Sequence, residues 1–281
     1  MDNIKTHLQK AGFAGDLKDD PTTLDLYSHD ASMFELRPQL VVAPKDAKDV
    51  EKLVKIVDAA KKANPALSLT ARSAGTCMSG GAINDSIIVD FLKYFNKIEK
   101  VTSNSAQVQP GVYYRDFEPH TLKHNALMPT YPASRELASV GGMVNNNAGG
   151  EKSLEFGKTE DFVTELDFVF ADGVKRTVKP IKEAELVKKM KQKDFEGEVY
   201  RKLYKLIEAN YDKIKAAKPH VSKNSTGYNL WDVWDRDSGV FDLTKLIVGG
   251  QGTLGLVTDI HFRLVPKKAH SGLLVLFMKD I

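Results

Sequence analysis

A single cysteine, Cys77, leaves no intrachain disulfide to form and no cysteine framework or zinc cluster to build. That usage fits a reducing compartment. No run approaches the ~20 apolar residues that cross a bilayer, and Met1-Asp2-Asn3-Ile4-Lys5 opens a polar, amphipathic stretch rather than an apolar signal core. The expectation is a cytoplasmic protein without a transmembrane segment, with a position peripheral to the inner face of a membrane as its variant. An excess of one charge is lacking too: 40 basic against 37 acidic residues leave +3, too little to imply a nucleic-acid partner. Lysines do gather between Lys179 and Lys218. There Leu186, Val187 and Met190, then Leu203, Leu206 and Ile207, recur at helical spacing, so the lysines read as solvated faces of two helices. Repeats and low-complexity linkers are missing, and 281 residues suffice for one large domain or two lobes.

Glycine, by contrast, is concentrated. Two clusters of different grammar lie about sixty residues apart: Arg72-Ser73-Ala74-Gly75-Thr76-Cys77-Met78-Ser79-Gly80-Gly81 and Gly141-Gly142-Met143-Val144-Asn145-Asn146-Asn147-Ala148-Gly149-Gly150. Glycine lets backbone N–H groups come close to an anion and turn at positive φ, and successive N–H groups make an anion-binding nest. The pair therefore reads as two loops that cradle a large phosphate-bearing cofactor. Ordinary turn glycines would account for one such loop more easily than for two.

A third cluster, Gly250-Gln251-Gly252-Thr253-Leu254-Gly255, spells the literal G-x-G-x-x-G string, and Leu246-Ile247-Val248 before it reads as a strand. The dinucleotide fingerprint requires a helix opening at the last glycine and an acidic residue about 20 positions on. Instead, Ile260, Phe262 and Leu264 alternate with His261 and Arg263, the period of a half-buried strand. A Rossmann fold is rejected.

Short helices are expected over 3–11 and 22–28, the second behind Asp20-Pro21. Strand 39–43, a helix carrying Val50, Leu53, Val54, Ile56 and Val57, and strand 67–71 form a βαβ unit, with the first glycine loop at its carboxyl end and another strand at 87–90. Beyond residue 100 the pattern changes to strand 106–110, helix 112–123 and a hairpin of 162–170 with 174–178, followed by strands 246–248, 256–265 and 273–277. The fold class is α+β, with a small parallel α/β lobe and a larger antiparallel lobe. The expected division is 1–35 as an N-terminal helical segment, 36–100 and 101–268 as the two lobes, and 269–281 as the start of a further domain.

In order, Arg72-Ser-Ala-Gly-Thr with Ser79-Gly80-Gly81-Ala82, Pro132-Ala-Ser, Gly141-Gly142-Met143, Asn147-Ala148-Gly149-Gly150, Phe156-Gly157-Lys158-Thr159 and Gly252-Thr253-Leu254-Gly255-Leu256-Val257-Thr258 resemble the FAD-binding PCMH-type flavoproteins. Within them the chain looks most like the FAD-linked oxidases of the glycolate oxidase subunit and D-lactate dehydrogenase group, over roughly residues 25 to 265. The resemblance implies FAD held between the two lobes. Ser73, Ala74, Gly75 and Thr76 would offer N–H groups to the pyrophosphate, with Arg72 supporting either the loop or the phosphate. Ser139, Gly141, Gly142, Asn147 and Gly149 would line the second side, and Gly252, Gly255 and Val257 would close around the cofactor. Ser79, Gly80, Pro132, Asn145 and Ala148, from the same motifs, complete the expected set. Lys223-Asn224-Ser225-Thr226-Gly227-Tyr228-Asn229-Leu230 resembles a segment of the same group near the flavin, although a glycine turn anchored by aromatic packing explains the same letters.

Departures from the pattern carry expectations of their own. Thr76 and Cys77 stand where some relatives place a flavin-linking histidine, which makes the FAD non-covalent, and Tyr131 stands where the group often has aspartate. His120 and His124 are i, i+4 on one helix but lack the glutamate of a zinc motif, so they read as surface residues. Relatives continue into a cap that covers the flavin and supplies base and substrate residues, and Ser271 to Met278 resembles only its first strand. The expectations are then the FAD-binding part of an enzyme oxidising a 2-hydroxy acid such as D-lactate or glycolate, with catalytic residues unassigned, no metal, and self-association or a partner subunit at the exposed end. The alternatives are a flavoenzyme resembling UDP-N-acetylenolpyruvoylglucosamine reductase and a non-catalytic flavin-binding subunit.

Overall fold

The computed structural model describes residues 1–221, 223–224, 227–270 and 272–280. In the N-terminal third, α1 (Asp2–Lys10), β1 (Asp16–Lys18), α2 (Pro21–Leu26), β2 (Leu40–Ala43), α3 (Ala47–Lys61), β3 (Leu69–Arg72) and β4 (Ile87–Asp90) build a sheet in the order β1, β2, β4, β3. β2 and β3 each run parallel to β4, which lies between them, and β1 adds an antiparallel edge. The βαβ crossover thus spans a strand that comes later in the chain. β1 was not expected from the sequence. Three residues with only Leu17 apolar give no period to read, and the strand exists because β2 offers it an edge.

α3 forms for reasons visible in its letters. The Asp46 side chain caps it by accepting the Asp49 N–H at 2.9 Å, and Val50, Leu53, Val54 and Val57 bury one face against the sheet. Asn64-Pro65 bars its continuation. At ~1.5–3 kcal/mol for each fully buried aliphatic side chain, this stripe is a main anchor of the lobe.

From β5 (Ile98–Val101) and β6 (Ser105–Val108) the chain passes through α4 (Tyr114–Leu122), β7 (Ala126–Leu127), α5 (Val140–Asn145), α6 (Ser153–Phe156) and a 3-10 turn at Thr159–Asp161 to β8 (Val163–Val169) and β9 (Lys175–Val178). β10 (Ile181–Lys182), the helices α7 (Glu183–Lys191), α8 (Phe195–Ala209) and α9 (Tyr211–Ala216), β11 (Trp234–Asp235), β12 (Val240–Phe241), α10 (Thr244–Ile247), β13 (Leu256–Arg263) and β14 (Val265–Pro266) follow. The main sheet is antiparallel throughout, in the order β5, β6, β13, β8, β9. Ile260 and Phe262 bury completely and Arg263 faces out, as the alternation demands. Over Leu256 to Asp259 the alternation fails because both faces are covered: Leu256 joins the small-sheet core and Val257 the large-sheet core. The architecture is α+β with one largely parallel and one antiparallel sheet.

Three expectations are corrected. Leu246 to Val248 is the end of helix α10 and the turn after it, since a three-residue apolar run cannot distinguish helix from strand. Residues 273–277 form no strand, because no edge pairs with them. Gly141 and Gly142 lie inside helix α5 rather than in a loop. Among the described residues, no helix is long and apolar enough to cross a membrane. The lysines of α7 and α8 are largely solvated, and Val187 and Leu206 share that exposure while Leu186 and Ile207 are buried.

Candidate cofactor site

The first glycine loop leaves the carboxyl end of β3 and is braced from behind. The Arg72 guanidinium donates to the carbonyls of Tyr27 at 3.3 Å and Ala82 at 3.4 Å, and lies 5.0 Å from the Tyr27 ring centre. Burial pulls its pKa below the usual arginine value. The Tyr27 hydroxyl donates to Asp90 at 2.8 Å, the Ala31 N–H to the Gly75 carbonyl at 3.0 Å, and the Ala82 N–H to Asp30 at 3.3 Å. Segment 27–31 therefore serves the loop, and Arg72 is a brace that also forms part of the cleft wall. Gly75 (φ +65) and Gly80 (φ +78) make the left-handed turns.

What this bracing leaves over is informative. The carbonyls of Arg72, Gly75 and Gly80 accept from Phe91, Ala31 and Ile83, yet the N–H groups of Gly75, Thr76 and Cys77 have no hydrogen-bond partner among the described residues. Gly142 of α5 is in the same state, whereas the neighbouring Val140 and Gly141 N–H groups are taken by Val112 and Pro110 at 2.9 and 2.8 Å. The Ser139 hydroxyl donates to Ser73 at 2.5 Å and accepts the Ala74 N–H at 3.5 Å, fixing loop and helix to one another.

The two glycines of α5 differ in purpose. A Cβ on Gly141 would come within 2.6 Å of Pro110, so packing alone explains it. On Gly142 the nearest atoms would be the Ser139 and Ser73 hydroxyls, both at 3.5 Å, so the protein itself would tolerate a side chain there. A helical glycine costs ~1 kcal/mol relative to alanine. Its use here keeps open the space in front of the unpartnered N–H groups.

The third cluster closes the cleft without the helix of a dinucleotide fingerprint. Gln251 (φ +54) and Gly252 (φ +73) turn the chain into β13. The Asn145 side chain accepts the Gly252 N–H at 3.1 Å, and its carbonyl accepts that of Gln251 at 3.0 Å. The result is an open cleft of about 690 Å³, counting space shared with solvent. Of the expected residues it gathers Arg72, Ser73, Gly75, Thr76, Gly141, Gly142, Asn145, Gly252, Gly255 and Val257.

Other expected residues are elsewhere. Ser139 supports the floor through Ser73, and Ala74 sits behind the wall. Ser79 and Gly80 lie at the outer end of the loop, where Ser79 contacts the Cys77 sulfur at 3.2 Å. Pro132 borders a separate hollow with Tyr131 and Glu151, and the Tyr131 phenol, pushed up to about 12 chiefly by burial, donates to Glu151 at 2.7 Å. Asn147 and Ala148 hold structure together: the Asn147 side chain accepts the Glu160 N–H at 3.0 Å, and the Ala148 carbonyl accepts both donors of Thr159. Gly149 lies outside the cleft lining, where a Cβ would come within 2.4 Å of the Ser153 hydroxyl. Lys158 is buried and donates to the Asn224 carbonyl.

Several wall residues gave no warning in the sequence. Ala71 and Phe91 lie at strand ends, and Pro110, beside Gly111, offered only a Pro-Gly turn, whereas Gly81 and Ala82 stood in the first glycine motif without being assigned to the site. Gln251 was hidden among glycines, although its positive φ makes it part of the turn. Cys77 also lines the cleft. Burial opposes its ionisation, but hydrogen bonds from the Ser79 side chain and from the Ser79 and Gly81 N–H groups outweigh that and hold the thiol below its ordinary pKa. His120 faces its own helix, 2.9 Å from the Asp116 carbonyl, and no group of three metal-ligating side chains exists among the described residues. Within 223–230, the Tyr228 hydroxyl meets Thr253 at 2.7 Å, while Ser225 and Thr226 lie outside the described residues.

Unpartnered N–H groups from two elements, facing a cleft kept open by Gly142, fit a diphosphate without any lysine at the site. Comparison with known proteins agrees with that chemistry. A family model described as "FAD binding domain" matches residues 38–179. D-2-hydroxyglutarate dehydrogenase of Pseudomonas putida is 29% identical over 261 residues, covering 92% of this chain and 26% of that protein. Glycolate oxidase subunit GlcD of Bacillus subtilis is 26% identical, with 86% and 40% covered, and D-lactate dehydrogenase of Archaeoglobus fulgidus is 26% identical, with 81% and 39% covered. The chain spans about a quarter of the length of the D-2-hydroxyglutarate dehydrogenases it matches. A solved structure of alkyldihydroxyacetonephosphate synthase superposes with TM-score 0.63 over 95% of this chain and 40% of that one, and at 18% identity it supports the fold alone.

Proposed function

The chain belongs to the FAD binding domain family, and from that premise we propose that it is the FAD-holding part of an oxidoreductase acting on a 2-hydroxy acid, with the flavin bound non-covalently. The observation that carries the reading is the set of free N–H groups on Gly75, Thr76, Cys77 and Gly142 in one cleft. These groups hold the pyrophosphate, Asn145 locks the third turn against it, and Arg72 keeps the first loop in its bound shape. Bound FAD supplies a two-electron acceptor for the hydride leaving C2 of the hydroxy acid as its alcohol becomes a ketone. The substrate class rests on the relatives, which are enzymes named for D-2-hydroxyglutarate, glycolate and D-lactate.

The residues lining the cleft include two titratable groups, Arg72 and Cys77. Neither suits removal of a hydroxyl proton. Arginine stays protonated, and the thiol is tied up by donors. A base placed by another polypeptide segment therefore belongs to the reading. Anaerobic mixing of the FAD-loaded chain with D-2-hydroxyglutarate, D-lactate, glycolate and NADPH tests it. Slow bleaching by one of the hydroxy acids and none by NADPH is expected, and fast reduction by NADPH overturns the reading.

A further inference from the structure

A second concavity lies where the polar face of the main sheet meets the start of α3 and the segment between β4 and β5. It encloses about 720 Å³, counting space shared with solvent, and none of its residues lines the cofactor cleft. Thr258 and Asp259 of β13 form its buried part, Tyr94 and Phe95 an aromatic wall, and Lys45 and Lys97 an exposed rim. A β-bulge brings Asp259 there: the register against β8 slips between Val257 and Asp259, which sets Asp259 opposite Asp167 on the face turned away from Ile260 and Phe262. Carboxylates opposite one another repel. Asp167 is neutralised, accepting from Lys175 Nζ and from the Thr177 hydroxyl, both at 2.7 Å.

Asp259 has no such partner. It is nine-tenths buried, and its Oδ1 is sealed from solvent beside His261 Nε2 at 3.5 Å, an imidazole shared with Glu165 at 3.6 Å. Gln107 helps to hold the carboxyl but brings no charge. The side chain keeps 12% of its surface, and it is by Oδ2, not the sealed oxygen, that it lines the concavity. In the same concavity the Lys45 and Lys97 ammonium groups have no ion-pair partner among the described residues. A buried charge without a counter-charge is costly, and these lysines form no ion pair with it. A simple anion would meet Asp259 and a simple amine would meet the lysines, whereas a molecule carrying both signs satisfies both ends. We propose that this concavity binds a small amino-acid zwitterion, its ammonium on Asp259 Oδ2, its carboxylate at Lys45 and Lys97, and its carbon chain along Tyr94 and Phe95. The proposal does not depend on the FAD reading.

Glycine, β-alanine and 4-aminobutyrate space the two charges differently. Each is titrated by calorimetry into the intact chain at neutral pH and low salt, beside ethylamine and acetate as the single-charge halves. At least one zwitterion is expected to saturate a single site at least about tenfold more tightly than either half, because charge-assisted hydrogen bonds then form at both ends. Asp259→Asn keeps the shape, removes the charge and should weaken that zwitterion by about tenfold or more. The double variant Lys45→Gln, Lys97→Gln, altered at exposed positions, should do the same with an unchanged circular dichroism spectrum. If Asp259→Asn does not fold, the lysine pair decides alone. Zwitterions that bind no better than ethylamine or acetate overturn the proposal, as does undiminished binding by the folded variants.

Discussion

Asn145 and Gly252, 107 residues apart in sequence, are joined by a hydrogen bond of 3.1 Å from the Gly252 N–H to the Asn145 side-chain oxygen. The same asparagine donates to the Gly141 carbonyl at 3.0 Å, so one side chain links helix α5 to the turn that closes the cleft. Asn145→Leu removes both bonds at similar volume. It is expected to lower stability by about 1–2 kcal/mol and to weaken FAD by roughly tenfold. Denaturant unfolding and a flavin titration measure the two effects, and unchanged FAD affinity would show that the turn closes without it.

Gly142→Ala should separate folding from binding. The flavin-free protein gains up to about 1 kcal/mol from the better helix former, since nothing lies closer than 3.5 Å to the added carbon. FAD affinity falls, and Gly142→Val abolishes it. Thermal melts with and without FAD read both signs. A variant that melts higher and binds as well as the parent would remove Gly142 from the cradle.

The glycine clusters and the alternation in β13 were readable because each rests on local rules: positive φ, close backbone approach and a period of two. Arg72 was ambiguous in the sequence because its partners, Tyr27 and Ala82, are brought to it by tertiary packing. Within the second cluster, the letters could not tell Gly142, which borders open space, from Gly141, which packs on Pro110, or Asn147, which orders the Thr159 turn. The strand expected at 273–277 rests on apolar content and on the likeness of Ser271 to Met278 to a cap strand, and neither supplies a neighbouring edge.

Asp259, on β13 outside the cleft, is buried with one oxygen lacking a hydrogen-bond partner. Burial pushes its pKa up to about 6, against the smaller pull of Gln107 and His261. The folded state therefore retains a proton that the unfolded state loses near pH 4. Stability contributed by this group is full below pH 4 and is lost progressively as pH rises to about 6. Asp259→Asn should flatten that part of the curve. Urea unfolding at pH 4.5, 5.5 and 7 checks the slope, and identical pH dependence in both proteins contradicts the assignment.

Leu273, Leu274 and Phe277 are 91, 80 and 95% exposed in a segment with no paired strand. Contiguous exposed apolar side chains favour association. Sedimentation over a concentration series should show reversible self-association that weakens in the Leu273→Lys, Phe277→Lys double variant. Concentration-independent sedimentation of the unaltered protein would rule this out.

The central claim is that the cleft between the first loop, α5 and the third turn binds FAD through backbone N–H groups. Calorimetric titration of the flavin-free chain with FAD, repeated on Gly142→Val, tests it most directly. The account predicts saturable binding of one FAD per chain by the unaltered protein and none by the variant, with both proteins folded by circular dichroism. Equal FAD binding by the two would contradict it.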